Sequence, residues 1–521
     1  MKLTRRSFLT GSSAGALALL AAPRLNSARG LLTEPKLDDL VKRALAAATK
    51  AGATYADVRV VRMRRENIAT REDRVERVAF TDDYGVGVRV IAGGAWGFAA
   101  TPNVTAAAAE RAAGDAVAVA KANASLMKKP VTLAPVPANV DVWQTPLIKH
   151  PFKIPLEDKA ELLLEINRRA MKVPGVKFAT SQYGAVAEWK LLASTDGAYI
   201  EQEIVRLNPG YSATAVDEKR GEFESVDHPV QPRQAGWEYI EQSSLLDDAQ
   251  RIGEQAVEKL KSPSVVAGKK DLILDPSNLW LTIHESIGHP TELDRALGYE
   301  ANYAGTSFAT PDKLNKLRIA TPIMTFYADK TTPGGLATCG YDDDGVATQR
   351  WNLIDKGVFV GYQTTREQAG WIGEKASRGT CYADSYSSFP FQRMPNVSLA
   401  PGAQERSIDD LIAGVDDGVV ISGRGSWSID HQRLNFQFSG QVFWEIKRGK
   451  KTRMLKDIAY QANTLEFWNS CDAIGGPKSW SLGGSFSDGK GEPGQTNSVS
   501  HGCPPARFRR VNILNTNRRT A

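Results

Sequence analysis

Cysteine and histidine are both scarce in this chain, with four and six copies in 521 residues. Cys339, Cys381, Cys471 and Cys503 form no C-x-x-C pair, and so few in so long a chain exclude a disulfide-built scaffold. After the first thirty residues no run is apolar enough to span a bilayer, so no membrane span is expected in the mature chain. Basic patches are missing as well. Apart from Arg507, Arg509, Arg510 and the tail Arg518-Arg519, which read as a solvated end, nothing marks a nucleic-acid surface, and no nucleic-acid partner is expected. No internal repeat or low-complexity segment is found.

The composition is that of an ordinary folded protein, with 42% hydrophobic and 24% charged residues. The length calls for two sizeable domains. Met1-Lys2-Leu3-Thr4-Arg5-Arg6-Ser7-Phe8-Leu9-Thr10, followed by a small and apolar run from Gly11 to Ala22, reads as a twin-arginine export signal over residues 1–28. That run is too short for the roughly 20 residues of a membrane helix. A periplasmic location is the expectation, after export in the folded state. Removing Lys2, Arg5, Arg6 and Arg24 takes four positive charges and no acid, so the net charge falls from +6 to +2.

Hydrophobic spacing predicts helices from Leu37 to Ala51, from Thr101-Pro102 to about Ala124, from Leu156 to Val173 and from Leu245 to Leu260. Alternation predicts strands over Tyr55–Val61 and Gly85–Ala100, the latter around a Gly93-Gly94 turn, and over residues 176–220 with turns at Asp196-Gly197 and Asn208-Pro209-Gly210. Ser262-Pro263-Ser264 breaks this pattern. The expected fold class is α+β in two domains, an N-terminal α/β-sheet domain over 30–265 and a mainly β domain over 266–521 with one helix set into it.

That helix carries the chemistry. Asp275-Pro276-Ser277 forms its start, Leu279, Trp280 and Ile283 its buried face, and His284-Glu285-Ser286-Ile287-Gly288-His289 its end, directly before Pro290. Neutral imidazoles suit zinc, and a carboxylate beside the first of them can take a proton from water that the metal has acidified. The same Glu285 can pass that proton to a leaving amine. The histidines are five apart, however, and a regular helix sets such positions ~140° apart. The segment therefore demands either a π-bulge or unwinding at Gly288, where glycine tolerates unusual backbone angles. A histidine pair that merely packs a helix end is the alternative.

These residues, with Gly305-Thr306-Ser307, resemble the H-E-x-x-x-H segment of the TldD/PmbA family, and specifically of its TldD-type members. Tyr55-Ala56-Asp57-Val58-Arg59, Gly87-Val88-Arg89-Val90 and Gly94-Ala95-Trp96-Gly97-Phe98 are similar to the family's N-terminal signature. Arg393-Met394-Pro395-Asn396 and Gly489-Lys490 through Gly494-Gln495 to Val499-Ser500-His501-Gly502 are similar to its C-terminal domain. The resemblance implies a zinc-dependent protease of unstructured peptides, whose TldD-type subunit commonly pairs with a PmbA-type one. The family's older label, a modulator of DNA gyrase, implies no DNA binding. A homo-oligomer is the other assembly expected.

By resemblance, His284 and His289 are metal ligands and Glu285 the general base. The third ligand departs from the family, which places a cysteine before the Gly-Lys pair where this chain has Asp488. An aspartate oxygen also binds zinc, though harder ligands broaden the choice of metal. Cys503, beside His501, is the rival. Glu292 and Asp294 read as a solvated acidic turn or as partners of the histidines, and His431 as an exposed strand residue. Without the family cysteine, two other functions stay open: a catalytically silent scaffold or partner-binding subunit, and a metal-dependent hydrolase of non-peptide amides.

Overall fold

The computed structural model describes residues 35–517, so the expected export signal and the Arg518-Arg519 tail lie outside the described residues. The chain folds as a mixed α/β structure in which strands dominate the C-terminal half. Its first half is built on one seven-stranded sheet, ordered Ala95–Thr101, Arg74–Ala92, Tyr55–Arg71, Val176–Ser194, Tyr199–Asp217 and Val140–Gln144, with Glu222–Asp227 added to Tyr199–Asp217. The neighbours run antiparallel, except that Val140–Gln144 lies parallel to Tyr199–Asp217. Gly93 and Gly94 turn the first hairpin with φ of 61° and 77°, the left-handed pair that matches the twist of the flanking strands.

Two helix pairs cover this sheet. Pro35–Lys50 and Ala106–Ala124 bury Leu40, Val41, Ala109 and Ala113 with Val58 and Val88. Leu156–Met171 and Ala249–Lys261 bury Leu163, Ile166 and Ile252 with Ala185 and Ala213. The helix Ala106–Ala124 starts later than its hydrophobic spacing predicts, because the Thr105 side chain, not Pro102, caps it by accepting from the Ala108 N–H.

Asn208-Pro209-Gly210 is not the turn that its composition predicts. Those residues pair in register with Gly184, Tyr183 and Gln182 in mid-strand. The neighbour Leu207 exchanges both backbone hydrogen bonds with Arg233 on the other side. Pro209, two residues on, therefore turns its missing donor toward that sparsely paired edge, where no ladder bond is lost.

The second half centres on a nine-stranded sheet in which Gly268–Leu274 lies between Ala506–Asn515 and Asp417–Ser422, antiparallel to the first and parallel to the second. The chain leaves Gly268–Leu274 directly into the helix Pro276–Ile283, which is enclosed by the largest core cluster, including Trp468, Phe326, Phe508 and Tyr460. A two-stranded hairpin, Ser481–Lys490 with Gln495–Cys503, packs across that helix. No helix among the described residues is long and apolar enough to cross a membrane.

A candidate metal centre

Local sequence sets the helix in place. The Asp275 carboxylate accepts from the Ser277 N–H at 2.9 Å and caps the N-terminus, and Pro276 occupies the first turn, where its missing N–H costs nothing. Leu279, Trp280, Leu281 and Ile283 are buried together with the hydrogen-bonded Asn278 and Thr282, so the helix is enclosed on every side and cannot rotate. At His284 it widens into a π turn through Gly288, and the His289 N–H donates to the His284 carbonyl five residues back. The extra residue in that turn brings both histidines to one side, with ring centroids 4.6 Å apart. The five-residue spacing is thus accommodated by a π segment and not by unwinding. Gly288 keeps ordinary helical angles (φ −59°, ψ −64°), and glycine is needed there for space, because a Cβ would lie 2.7 Å from the buried Met394 sulfur.

Asp488 closes the group from the hairpin. A bulge between Ser485 and Asp488 shifts the register of its strand and aims the carboxylate at the helix. Asp488 Oδ1 lies 3.3 Å from His284 Nε2 and 3.6 Å from His289 Nε2, with all three residues buried. Bond lengths of 2.0–2.2 Å in a tetrahedral zinc site put neighbouring ligand atoms roughly 3.3 Å apart. The donor set and its spacing therefore fit a divalent metal, and His284, His289 and Asp488 are the acid, cysteine and histidine cluster that qualifies among the described residues.

Outer partners fix which ring nitrogen of each histidine faces the centre. His501 Nδ1 lies 2.8 Å from the Val397 carbonyl, which can only accept, so that nitrogen carries a proton. Its Nε2 then accepts from His284 Nδ1 at 2.8 Å, leaving His284 Nε2 for the metal. Burial, reinforced by the His284 charge, holds His501 neutral and well below the usual histidine range. On the other ligand, His289 Nδ1 donates to Glu292 Oε2 at 2.8 Å. Glu292 is itself held by Arg295 Nε at 3.0 Å and Lys490 Nζ at 3.2 Å. Burial opposes its charge, but Lys490, His289 and Arg295 outweigh that and keep the carboxyl well below its ordinary range.

The two ligand imidazoles differ. Burial and the nearby Arg295 push His289 down to about 4. Burial also works against charge on His284, yet the hydrogen bond and charge of Asp488 prevail and hold it above the usual histidine value. Asp488 is correspondingly depressed, with burial overcome by His284 and His289, while Arg393 Nη2 donates to its backbone carbonyl at 2.5 Å. The same guanidinium nitrogen reaches Asn497 Oδ1 at 2.7 Å and so pins the strand pair that carries Asp488.

Glu285 is buried next to His284 in the chain, close enough for its charge to favour the protonated His284 imidazole. Arg433 Nη1 holds its Oε2 at 2.5 Å, and Arg433 Nη2 also reaches the Ala304 carbonyl at 3.3 Å. Arg433 adopts φ +63°, a left-handed angle uncommon outside glycine, within the turn that presents its side chain to the site. Glu285 Oε1 has no protein hydrogen-bond partner among the described residues.

Cys503 is not brought to the centre. Its buried thiol faces the Pro276 carbonyl at 3.7 Å. Pro276 is eight residues before His284, about 12 Å along a helix, too far for a shared ion. Burial pushes the thiol well above the usual cysteine range, which disfavours the thiolate a metal requires. His501 contributes as the orienting partner of His284, and Glu292 likewise serves His289. Asp294 meets Lys490 Nζ at 2.8 Å. His431 lies in the turn after the strand Trp427–Ile429, exposed, with its backbone carbonyl accepting from Thr306. Arg433 carries no motif around it and was invisible to local spacing, whereas Arg393 lies in a segment already singled out by resemblance.

Profiles of the PmbA/TldA metallopeptidase domains match three stretches: domain 1 over residues 56–120, the central domain over 149–262 and the C-terminal domain over 267–515. The chain belongs to the PmbA/TldA metallopeptidase family. Among its relatives, a metalloprotease of Methanothermobacter thermautotrophicus is 27% identical over 462 residues, covering 89% of this chain and 96% of the relative. A zinc metalloprotease TldD homolog of Saccharolobus solfataricus is 23% identical over 476 residues, covering 89% and 98%. The crystal structure of TldE from Thermococcus kodakarensis superposes with a TM-score of 0.68 at 19% identity, covering 91% of this chain and 99% of that one. This likeness shows the shared fold. The candidate centre falls within the PmbA/TldA C-terminal domain, on its first helix and its last hairpin.

Proposed function

We propose that this PmbA/TldA-family chain is a zinc-dependent peptidase of TldD type that hydrolyses unstructured peptides. The observation that carries the reading is the convergence of His284 Nε2, His289 Nε2 and Asp488 Oδ1 next to a carboxylate, Glu285, with one oxygen anchored and one free. His284, His289 and Asp488 would hold a zinc ion, which would supply Lewis-acid chemistry, polarising a carbonyl and acidifying water. Glu285 Oε1 accepts the proton of the attacking water and returns it to the departing amine, while Arg433 keeps the carboxylate from rotating away. His501 and Glu292 hold the two imidazoles in register throughout. The enclosure of all these side chains favours an extended, unfolded chain over a folded protein as substrate.

The same reading includes export by the twin-arginine route to the periplasm and pairing with a PmbA-type subunit or a second copy. The first rests on Arg5-Arg6 and the apolar run after them, and the second on family membership. Cell fractionation of an Arg5→Lys/Arg6→Lys form, which should stay in the cytoplasm, tests the first. Copurification of a second, related chain tests the second.

The deciding experiment compares wild type with Glu285→Gln on an unfolded peptide while metal content is followed. The variant should keep its metal and lose about 10²–10⁴-fold in rate, the scale of general-base catalysis. Equal rates in the two proteins would refute the peptidase assignment.

A further inference from the structure

Beside the metal centre runs a groove of about 630 Å³, walled by the long strands of the first half, the residues Asp227–Pro232 and the segment Gly484–Ser487. Ser487 is the neighbour of Asp488, so the groove opens next to the centre. Trp280 links the two more closely. Its ring lines the groove, meets His284 edge-on at a centroid distance of 6.5 Å and lies parallel to His501 at 6.1 Å.

Two hydrogen-bond donors near this wall have no acceptor among the described residues, and only one of them is open to the groove. The indole Nε1 of Trp280, a residue only 2% exposed, is buried and unpartnered. The second is Arg424, whose guanidinium carbon sits 4.5 Å from the Trp427 ring centroid and 5.9 Å from that of Trp280. Its backbone carbonyl accepts from Gln441 Nε2 at 2.8 Å, but its guanidinium forms no hydrogen bond or ion pair with any described residue. Asp227, also on the groove, accepts from Gln441 Nε2 instead. A guanidinium resting on indole faces is held in place by its planes and keeps its edge donors free, the geometry that receives a carboxylate with two parallel hydrogen bonds.

We propose that Arg424, stacked on Trp427 beside Trp280, forms a carboxylate-binding subsite that selects peptides carrying a carboxylate close to the bond to be cleaved. Gly483 lets its strand pack directly on Trp280, since a Cβ there would lie 2.3 Å from Trp280 Cδ1. The carboxylate has two possible sources, the C-terminus of the peptide or an acidic side chain, and the chemistry of recognition is the same. Arg424 acts here as a specificity residue and takes no part in proton transfer. This inference rests on the peptidase reading for its substrate class, and its test is set so that the two fail separately.

Binding is measured on metal-loaded Glu285→Gln protein, which does not depend on turnover, by the quenching of tryptophan fluorescence. Three unfolded peptides of one sequence are compared: a free C-terminus, an amidated C-terminus, and an amidated form with Glu in place of a central Gln. One of the carboxylate peptides should bind tighter than the neutral one by roughly tenfold or more, the scale of a charge-assisted hydrogen bond. Preference for the free C-terminus assigns the source to the chain end, and preference for Glu assigns it to a side chain. Adding Arg424→Gln should bring the ratio close to one, and Arg424→Lys should restore part of it, with metal content confirming that each variant is folded. In the cleaving enzyme the same preference appears in KM more than in kcat. Equal binding of all three peptides, or a preference that survives Arg424→Gln, overturns the subsite. Failure of wild type to cleave any peptide would refute the peptidase reading and leave the binding result standing.

Discussion

The metal ligands are held by residues that would not touch the metal, and this is where single substitutions are most informative. His501 is buried in a chain from the Val397 carbonyl to His284 Nδ1, and its ring lies parallel to Trp280. His501→Phe keeps a flat ring in that slot and removes the acceptor that fixes His284. Zinc affinity measured by competition with a chelator should weaken about 10–100-fold, as for other orienting partners of metal-bound histidines. Asp488→Cys places a thiolate where the carboxylate now stands. Because soft ligands favour zinc over harder ions, its zinc-to-manganese affinity ratio should rise above that of wild type. The ratio can be read by equilibrium dialysis against both metals, and an unchanged ratio would argue against Asp488 as a ligand.

At the scale of elements, the π turn and the bulged hairpin share one task, since each re-aims a side chain that regular geometry would misdirect. The need for a distorted helix was legible in the sequence, because five residues between histidines cannot face one ion on a regular α-helix. Its form was not, since the surroundings that accept a π turn, among them Met394 packed against Gly288 from over a hundred residues away, are absent from the local sequence. Gly288→Val should therefore lower stability by about 1–3 kcal/mol through overpacking, seen as a lower thermal midpoint. Asp488 could be singled out only by resemblance, because nothing in its local pattern reveals that a bulge turns it toward the helix. Cys503 misled as a rival ligand for the complementary reason: nearness to His501 in sequence says nothing of which end of the helix a strand residue meets. Pro209 misled in the same way, as an edge able to tolerate a missing donor depends on Arg233 pairing beside it.

Across the whole molecule, a layer of buried charges joins the two halves, beside apolar contacts such as Val442 and Met454 in the first sheet's core. Glu188 on the first sheet bonds Arg206 at 2.7 Å and Lys190 at 2.7 Å, and Lys190 reaches Asp343 of the second half at 3.0 Å. Arg89 bonds both Asp57 and Asp344, at 2.8 Å and 2.7 Å. Burial alone would raise the Glu188 carboxyl, but Lys190 and Arg206 prevail and lower it to about 2. A carboxyl whose folded value is depressed adds stability that is fully present above its unfolded value, about 4.3, and is lost as pH falls toward about 2. The thermal midpoint of wild type should therefore drop through that window. Glu188→Gln should unfold more easily at neutral pH, by about 3–5 kcal/mol for Arg206 left without its carboxylate while Lys190 keeps Asp343, and show a shallower acid limb. A variant with wild-type stability at neutral pH would show that this layer does not hold the halves together.

The central claim, that His284, His289 and Asp488 hold a catalytic metal, is tested most directly by elemental analysis of purified wild type, Asp488→Ala and Cys503→Ala side by side. About one equivalent of zinc should be found in wild type and in Cys503→Ala, and most of it should be lost from Asp488→Ala. Metal retained by Asp488→Ala, or lost only from Cys503→Ala, would contradict the account.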